Sequence, residues 1–124
     1  MGKGGRRPER KLMGLTNQPP DLLPGTLDML ILQTLVTGAK HGYGIAERLK
    51  QVSQDVLQVG ESSLYPALQR LLLNGYVDAE WGPSDNNRRA RYYTITKPGR
   101  KYLAAERQEF EQLSAAIHRV LETA

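Results

Sequence analysis

Apolar positions change their period several times along this chain, and each change marks an element. Between residues 27 and 37, Leu27, Met29, Leu30, Ile31, Leu32, Leu35 and Val36 occupy nearly the whole circumference of a helix. Thr26 fits as its N-cap, Asp28 sits in the turn where the helix dipole is positive, and Gly38 stops it. A helix this apolar is buried on more than one side, and in so short a chain the second side points to a subunit partner. After His41-Gly42-Tyr43-Gly44, the apolar residues Ile45, Leu49 and Val52 recur at i, i+4 and i+7, a single helical face that ends near Ser53. Leu64, Leu68, Leu71 and Leu72 make the stripe of a third helix, from Ser62 or Ser63 to Asn74. With Ser63 as its cap, Pro66 falls in the first turn, where a missing N–H costs nothing, and Asn74-Gly75 ends the helix.

The period then drops to two. Val77, Ala79 and Trp81 alternate with Asp78 and Glu80, a half-buried strand. Residues 82–87 are turn-forming throughout, and 91–96, rich in aromatic and β-branched side chains, read as the return strand. Thr96 or Lys97 opens a long last helix with Pro98 in its first turn. Along it Leu103, Phe110, Leu113, Ile117 and Val120 approach a 3,4 spacing, broken where Glu106 or Arg107 fills an expected apolar slot. About 24 residues give a rod of roughly 36 Å with a narrow apolar stripe, which calls for a second helix beside it. The fold expected is mainly α with a small β-hairpin: a winged helix-turn-helix over residues 24–96 and a C-terminal dimerisation helix over 97–124. Residues 1–23, rich in Gly, Pro and basic side chains, form a basic tail expected to be disordered.

Composition narrows the function classes. The 124 residues are 40% apolar and 24% charged, which suits one small domain. No apolar run approaches the roughly 20 residues needed to span a bilayer, so no membrane partner is expected. Nor does an apolar segment follow the basic N-terminal residues, as a secretory signal requires. The chain has no cysteine, which removes disulfides and thiolate catalysis and fits a reducing cytoplasm. The net charge is +4, and Lys3, Arg6, Arg7, Arg10 and Lys11 against Glu9 account for all of it, leaving residues 21–124 neutral. A nucleic-acid footprint must therefore come from local clusters, with the tail either a solubilising end or an arm on DNA.

Catalytic constellations are missing. The two histidines, His41 and His118, lie on different elements, and no HExxH, GxxxxGK[ST] or GxSxG occurs. Gly42-Tyr43-Gly44 lacks the preceding strand of a nucleotide-binding loop, and Glu106, Glu109 and Glu111 read as a solvated helix face. These residues call for no enzyme activity, metal or cofactor.

DNA binding needs phosphate anchors, base readers and a wing, and the chain offers each. Tyr65, early in the third helix, fits a phosphate contact or packing against the second helix. Ser62 and Ser63 fit a cap or a phosphate at the N–H-rich helix end. Gln69 and Arg70 match groove edges, although Arg70 also fits a plain surface position. His41 and Tyr43, opening the second helix, fit phosphate contacts or a structural turn. Arg88, Arg89 and Arg91 form the strongest basic cluster outside the tail. Three arginines on one strand cannot all face one way, so at least one is expected to pack over Glu80 or Trp81. A winged-helix module whose wing binds a partner protein is the competing reading.

The segments LLPGTLDMLILQTL, HGYGIAERL, ESSLYPALQRLLLNGYVDAEW and NNRRARYYTITKPGRKYL resemble, in that order, the PadR family of bacterial transcriptional regulators. The resemblance covers about residues 22–121 and fits the short subgroup with a single C-terminal helix. It implies a repressor that binds double-stranded DNA as a homodimer on an inverted-repeat operator. By position, His41 and Tyr43 match second-helix phosphate contacts. Ser62, Ser63, Tyr65 and Pro66 match the start of the recognition helix, and Arg88, Arg89 and Arg91 match the wing. The expected dimer interface comprises Leu27, Leu30, Ile31, Leu103, Phe110, Leu113, Ile117 and Val120, where a small-molecule effector is also expected. Some short members stack flat ligands on a tryptophan of the final helix. Here that helix has Tyr102 and Phe110, and the sole tryptophan, Trp81, is on a strand.

Overall fold

The computed structural model describes residues 25–85 and 88–123. The basic tail and the wing tip Asn86-Asn87 lie outside the described residues. Among the described residues there are four helices and one three-stranded antiparallel sheet.

Helix α1, Thr26–Leu35, follows Gly25, which adopts φ 87°. Thr26 is thus the first residue of the helix and not its cap; among the described residues no side-chain cap bond closes this end. The other end is closed by Lys40, whose Nζ donates to the Thr34 carbonyl at 2.7 Å and to Thr37 Oγ1 at 3.3 Å. A cation suits the negative end of a helix dipole.

Lys40 and His41 also form β1, a two-residue strand that the periodicity did not announce. His41 then caps α2, Gly42–Val52: its Nδ1 accepts the Gly44 N–H at 3.0 Å. Helix α3, Glu61–Leu73, begins after Gly60, earlier than expected. Ser63 is therefore inside the helix, not its cap, and Pro66 lies in the second turn. The acceptor that Pro66 leaves without a helical donor belongs to exposed Ser62, so water can satisfy it. Gly75, at φ 77°, ends α3 with paired bonds from its own N–H to Leu72 O and from Tyr76 N to Leu71 O.

Strands β2, Val77–Pro83, and β3, Arg89–Ile95, form the hairpin, and β3 is central in the order β1-β3-β2. The register pairs Val77 with Ile95, Ala79 with Tyr93 and Trp81 with Arg91, while Lys40 of β1 pairs with Tyr93. Expected to be half-buried, Trp81 is in fact 60% exposed, because the hairpin runs past the edge of the core.

The core is built from Ile31, Leu32, Leu35, Ile45, Leu64, Leu68, Leu71 and Val77. Helix α1 packs against α2, α3, β3 and the last helix, α4, Lys97–Leu121. Its near-continuous apolar surface is largely used within one protomer. Ile31, fully buried, and Leu103, 6% exposed, therefore belong to this core and are corrected from the expected dimer interface.

Helix α4 is anchored through Thr96. Its Oγ1 accepts the Gly99 N–H at 3.0 Å and donates to Gly75 O at 2.7 Å, while its own N–H donates to Tyr76 O at 3.1 Å. The 25 residues of α4 extend about 37 Å. Beyond Leu113 the helix leaves the described body, with Phe110, Leu113, Ile117 and Val120 all exposed along it.

Candidate nucleic-acid interface

The hairpin is braced at its tip. Ser84 N and Ser84 Oγ both donate to Arg88 O at 2.8 Å, and Tyr92 Oη donates to Pro83 O. The two-residue period places Arg89 and Arg91 on the same sheet face as Trp81. Arg89 Cζ stands 5.7 Å from the centre of the Trp81 ring, a cation–π contact of the kind expected for one of the three arginines. Arg88 precedes the strand, so strand alternation does not fix its side. All three line one groove.

That groove is open and holds about 700 Å³. One wall is the wing, with Trp81, Ser84, Asp85 and the three arginines. The other is His41, Gly42 and Tyr43 at the start of α2, with Tyr65 of α3. Among the described residues, three cationic side chains against the single carboxylate of Asp85 make it a basic surface. Tyr43 is 70% exposed and Tyr65 47% exposed. The His41 ring is tilted against Tyr43 at 6.4 Å and against Tyr92 at 5.3 Å, and its Nδ1 is already engaged as the α2 cap. The His41 cap is the structural turn that one reading expected, and His41 and Tyr43 both line the groove.

The first turns of α3 present Ser62, Tyr65 and Pro66 as exposed residues, with Ser63 half-buried and Gln69 exposed one turn on. Arg70, expected either to read a base edge or to be a plain surface residue, is paired with another helix. Its Nη2 donates to Asp28 Oδ1 of α1 at 2.9 Å. Five residues of helix rotate a side chain by about 140°, so Arg70 points well away from Tyr65. The sequence gives no local signal for this pair, because Asp28 lies 42 positions away. Sequence reasoning also missed Gly42 and Asp85 as parts of the groove.

A second surface lies along α1 and α4. Phe110 sits between two shallow crevices, one of about 260 Å³ including Gly25, Glu106 and Leu113, the other of about 290 Å³ including Leu30, Gln33 and Arg107. Leu27 and Leu30 are only partly buried by the protomer's own core. Nearby, Tyr102 stacks on Tyr76 with ring centres 4.3 Å apart. Burial raises the pKa of the Tyr102 phenol, with Glu106, Asp28 and Tyr76 adding to the rise and Arg70 opposing it. Among the described residues no helix is long and apolar enough to cross a membrane.

The sequence profile of the transcriptional regulator PadR-like family matches residues 31–105. The structure is similar to that of a transcriptional regulator from Clostridium thermocellum, with 32% identity and a TM-score of 0.71 over 77% of this chain and 92% of that one. It is also similar to a PadR family transcription regulator from Clostridium difficile, with 26% identity and a TM-score of 0.66 over 78% of this chain and 99% of that one. An uncharacterized protein from Lysinibacillus sphaericus is 28% identical over 102 residues, covering 82% of this chain and 94% of its own length.

Proposed function

The chain belongs to the PadR-like family of transcriptional regulators, and from that premise we propose that it is a cytoplasmic repressor that binds an inverted-repeat operator as a homodimer. The family is one of regulators, not enzymes. The observation that carries the proposal is the groove in which Arg88, Arg89 and Arg91 of the wing face Tyr43 and Tyr65. Helix α3 enters the major groove with Ser62, Ser63, Tyr65, Pro66 and Gln69 leading, and the wing rests on the flanking backbone. Tyr43, Tyr65 and the arginines hold phosphates, and Gln69 is the remaining candidate to read a base edge. His41 holds α2 in place as its cap and lines the groove beside Tyr43, where it is a further phosphate contact.

The homodimer is supported by the exposed stripe Phe110, Leu113, Ile117 and Val120 on a helix that projects from its own domain. Leu27 and Leu30 flank it, and an effector would bind in the crevices beside Phe110. Two-fold pairing through α4 gives two copies of α3, the arrangement that a two-fold-symmetric operator requires.

A gel shift on duplexes selected from a random pool tests this reading against a wing that binds protein. A DNA-binding dimer neutralising about 6–10 phosphates loses roughly 10³–10⁵ in affinity between about 50 and 200 mM salt. Failure to shift any duplex at low salt would leave the protein-interaction reading in its place.

A further inference from the structure

Helix α3 places Tyr65 on the groove near one end and, among the described residues, has its one ion pair near the other. At the front, Tyr65 leans on Gly42. At the rear, Arg70 is bound to Asp28 of α1 at 2.9 Å, and Tyr76, just past the helix end, stacks on Tyr102 of α4. The Asp28 side chain is only 13% exposed and sits in the first turn of α1, so the carboxylate is held in place; the Arg70 side chain is 56% exposed and reaches across to it. Asp28 and Arg70 both act on the Tyr102 phenol, which places the pair at the junction of α1, α3 and α4.

We propose that Arg70 is a positioning residue: its pair with Asp28 fixes the angle of the recognition helix on the α1/α4 scaffold, and so sets the half-site spacing that the dimer accepts. This rests on the reading of the chain as a dimeric operator-binding protein. The buried face of α3, Leu64, Ala67, Leu68 and Leu71, is aliphatic and non-directional. A charge-assisted hydrogen bond is directional and resists tilting. The 13 residues of α3 span about 20 Å. A tilt of about 10° about the rear of the helix therefore moves its front by roughly 3.5 Å, close to the rise of about 3.4 Å between successive base pairs. A partly exposed ion pair adds little to stability, so its effect is expected in geometry and not in melting temperature.

The chain has no cysteine, so a single Glu61→Cys substitution at the exposed front of α3, the end that a tilt moves, takes one spin label per protomer. Pulsed dipolar spectroscopy on the free dimer then reads the distance between the two α3 helices. A narrow distribution is expected in the labelled parent and a broader one in both Arg70→Gln and Asp28→Asn. The double variant should be no broader than either, because one interaction is lost in all three. Arg70→Lys, which keeps the charge, should recover most of the narrowing.

On the selected operator with its half-sites moved by one base pair, the parent should lose about tenfold in affinity or more, and both neutralising variants should flatten that penalty to about threefold or less. Unchanged distributions and an unchanged penalty would overturn the proposal, whatever happens to thermal stability. So would loss of affinity in Arg70→Gln alone with Asp28→Asn silent, the signature of a base contact. A parent that gives no dipolar signal, or binds no duplex, would instead overturn the dimeric DNA-binding reading, and the positioning role with it.

Discussion

Tyr65 rests on Gly42: a β-carbon built on that glycine would lie 3.0 Å from Tyr65 Oη and 3.1 Å from its Cε1. The two readings of Tyr65, packing residue and groove residue, are therefore compatible. One edge of its ring covers buried Gly42, while the side chain as a whole is 47% exposed and lines the groove. The contact joins the first turn of α2 to the second turn of α3 and sets where the phenol points.

Gly42→Ala is expected to displace Tyr65 by a few tenths of an ångström without unfolding the domain. Gly42 is the first residue of α2, so alanine gains less there than the roughly 1 kcal/mol it gains over glycine in a helix interior, which offsets part of the crowding. Stability should change by less than about 1 kcal/mol. DNA affinity should fall in the same way as for Tyr65→Phe, by roughly tenfold if the phenol donates to a phosphate. Anisotropy titrations on several duplexes check this: a phosphate contact weakens all of them equally, whereas a loss confined to the best sequence would make Tyr65 a base reader.

Gly99→Ala should be far more damaging to the fold. Its β-carbon would lie 2.1 Å from the Tyr76 carbonyl oxygen and 3.0 Å from Ile95 Cγ1, where backbone meets backbone and cannot yield cheaply. Overpacking of this kind costs about 1–3 kcal/mol or more. Thr96→Ala, which removes the cap of α4 and its bond to Gly75, should cost about 1 kcal/mol. Urea denaturation of both variants ranks them, and a Gly99→Ala protein as stable as the parent would refute the close packing of α4 on the turn after α3.

The helices and the hairpin were legible because their signals are local. Leu64, Leu68 and Leu71 fall on one helical face, and Thr96 with Gly99 and Pro98 marks the start of α4 within four residues. Strand β1 was not legible, since Lys40 and His41 alone carry no period; their partners, Tyr93 and Tyr92, lie about fifty residues away. The start of α3 differs from the pattern because two serines are stronger cap formers than glycine in general, yet Gly60 already has the extended conformation that a cap needs. The burial of Ile31 and Leu103 within the protomer is not legible, because a helix pattern shows how much surface is apolar but not which neighbours cover it. The Arg70–Asp28 pair is not legible for a related reason: it is set by tertiary packing of α1 on α3.

Ile117→Asp is expected to convert a dimer into monomers that keep their fold. Ile117 is 46% exposed in the protomer and lies beyond the part of α4 that packs on α1, so the charge meets water in the monomer and apolar surface in a dimer. Light scattering reads the mass, and circular dichroism confirms that the helix content of the domain persists. An unchanged dimer mass would move the interface elsewhere, and Leu103→Asp, at a buried core position, should unfold the protein instead.

Alkaline pH should loosen the junction of α3 and α4. The folded state raises the Tyr102 pKa above its ordinary value of 10.0, through burial and then the neighbouring Glu106, Asp28 and Tyr76. The neutral phenol is thus favoured in the folded protein, and the unfolded chain gives up this proton first. The corresponding stability is fully present below about pH 10 and is lost as pH rises through the folded value. Tyr102→Phe removes the titration while keeping the ring on Tyr76. Its unfolding free energy should therefore fall less steeply than the parent's above about pH 10 in urea titrations; identical slopes would show that Tyr102 titrates no differently in the two states.

Trp81 reports on the wing. It is 60% exposed, pairs across the hairpin with Arg91 and lies under the Arg89 guanidinium. In the free protein its indole is largely in water. If the wing settles on a phosphate backbone, the arginines turn toward the phosphates and water is displaced from the indole, so its emission should shift or change in intensity on adding operator. Arg89→Ala should alter the emission of the free protein, by removing the cation from the ring, and should shrink the response to DNA. An effector held beside Phe110 lies on the α1/α4 surface, away from the wing, so it should change Trp81 emission little by itself. It would act on DNA binding by favouring a dimer geometry that misfits the operator. Emission that ignores saturating operator while a gel shift shows binding would remove the wing from the DNA and leave Arg88, Arg89 and Arg91 to a protein partner.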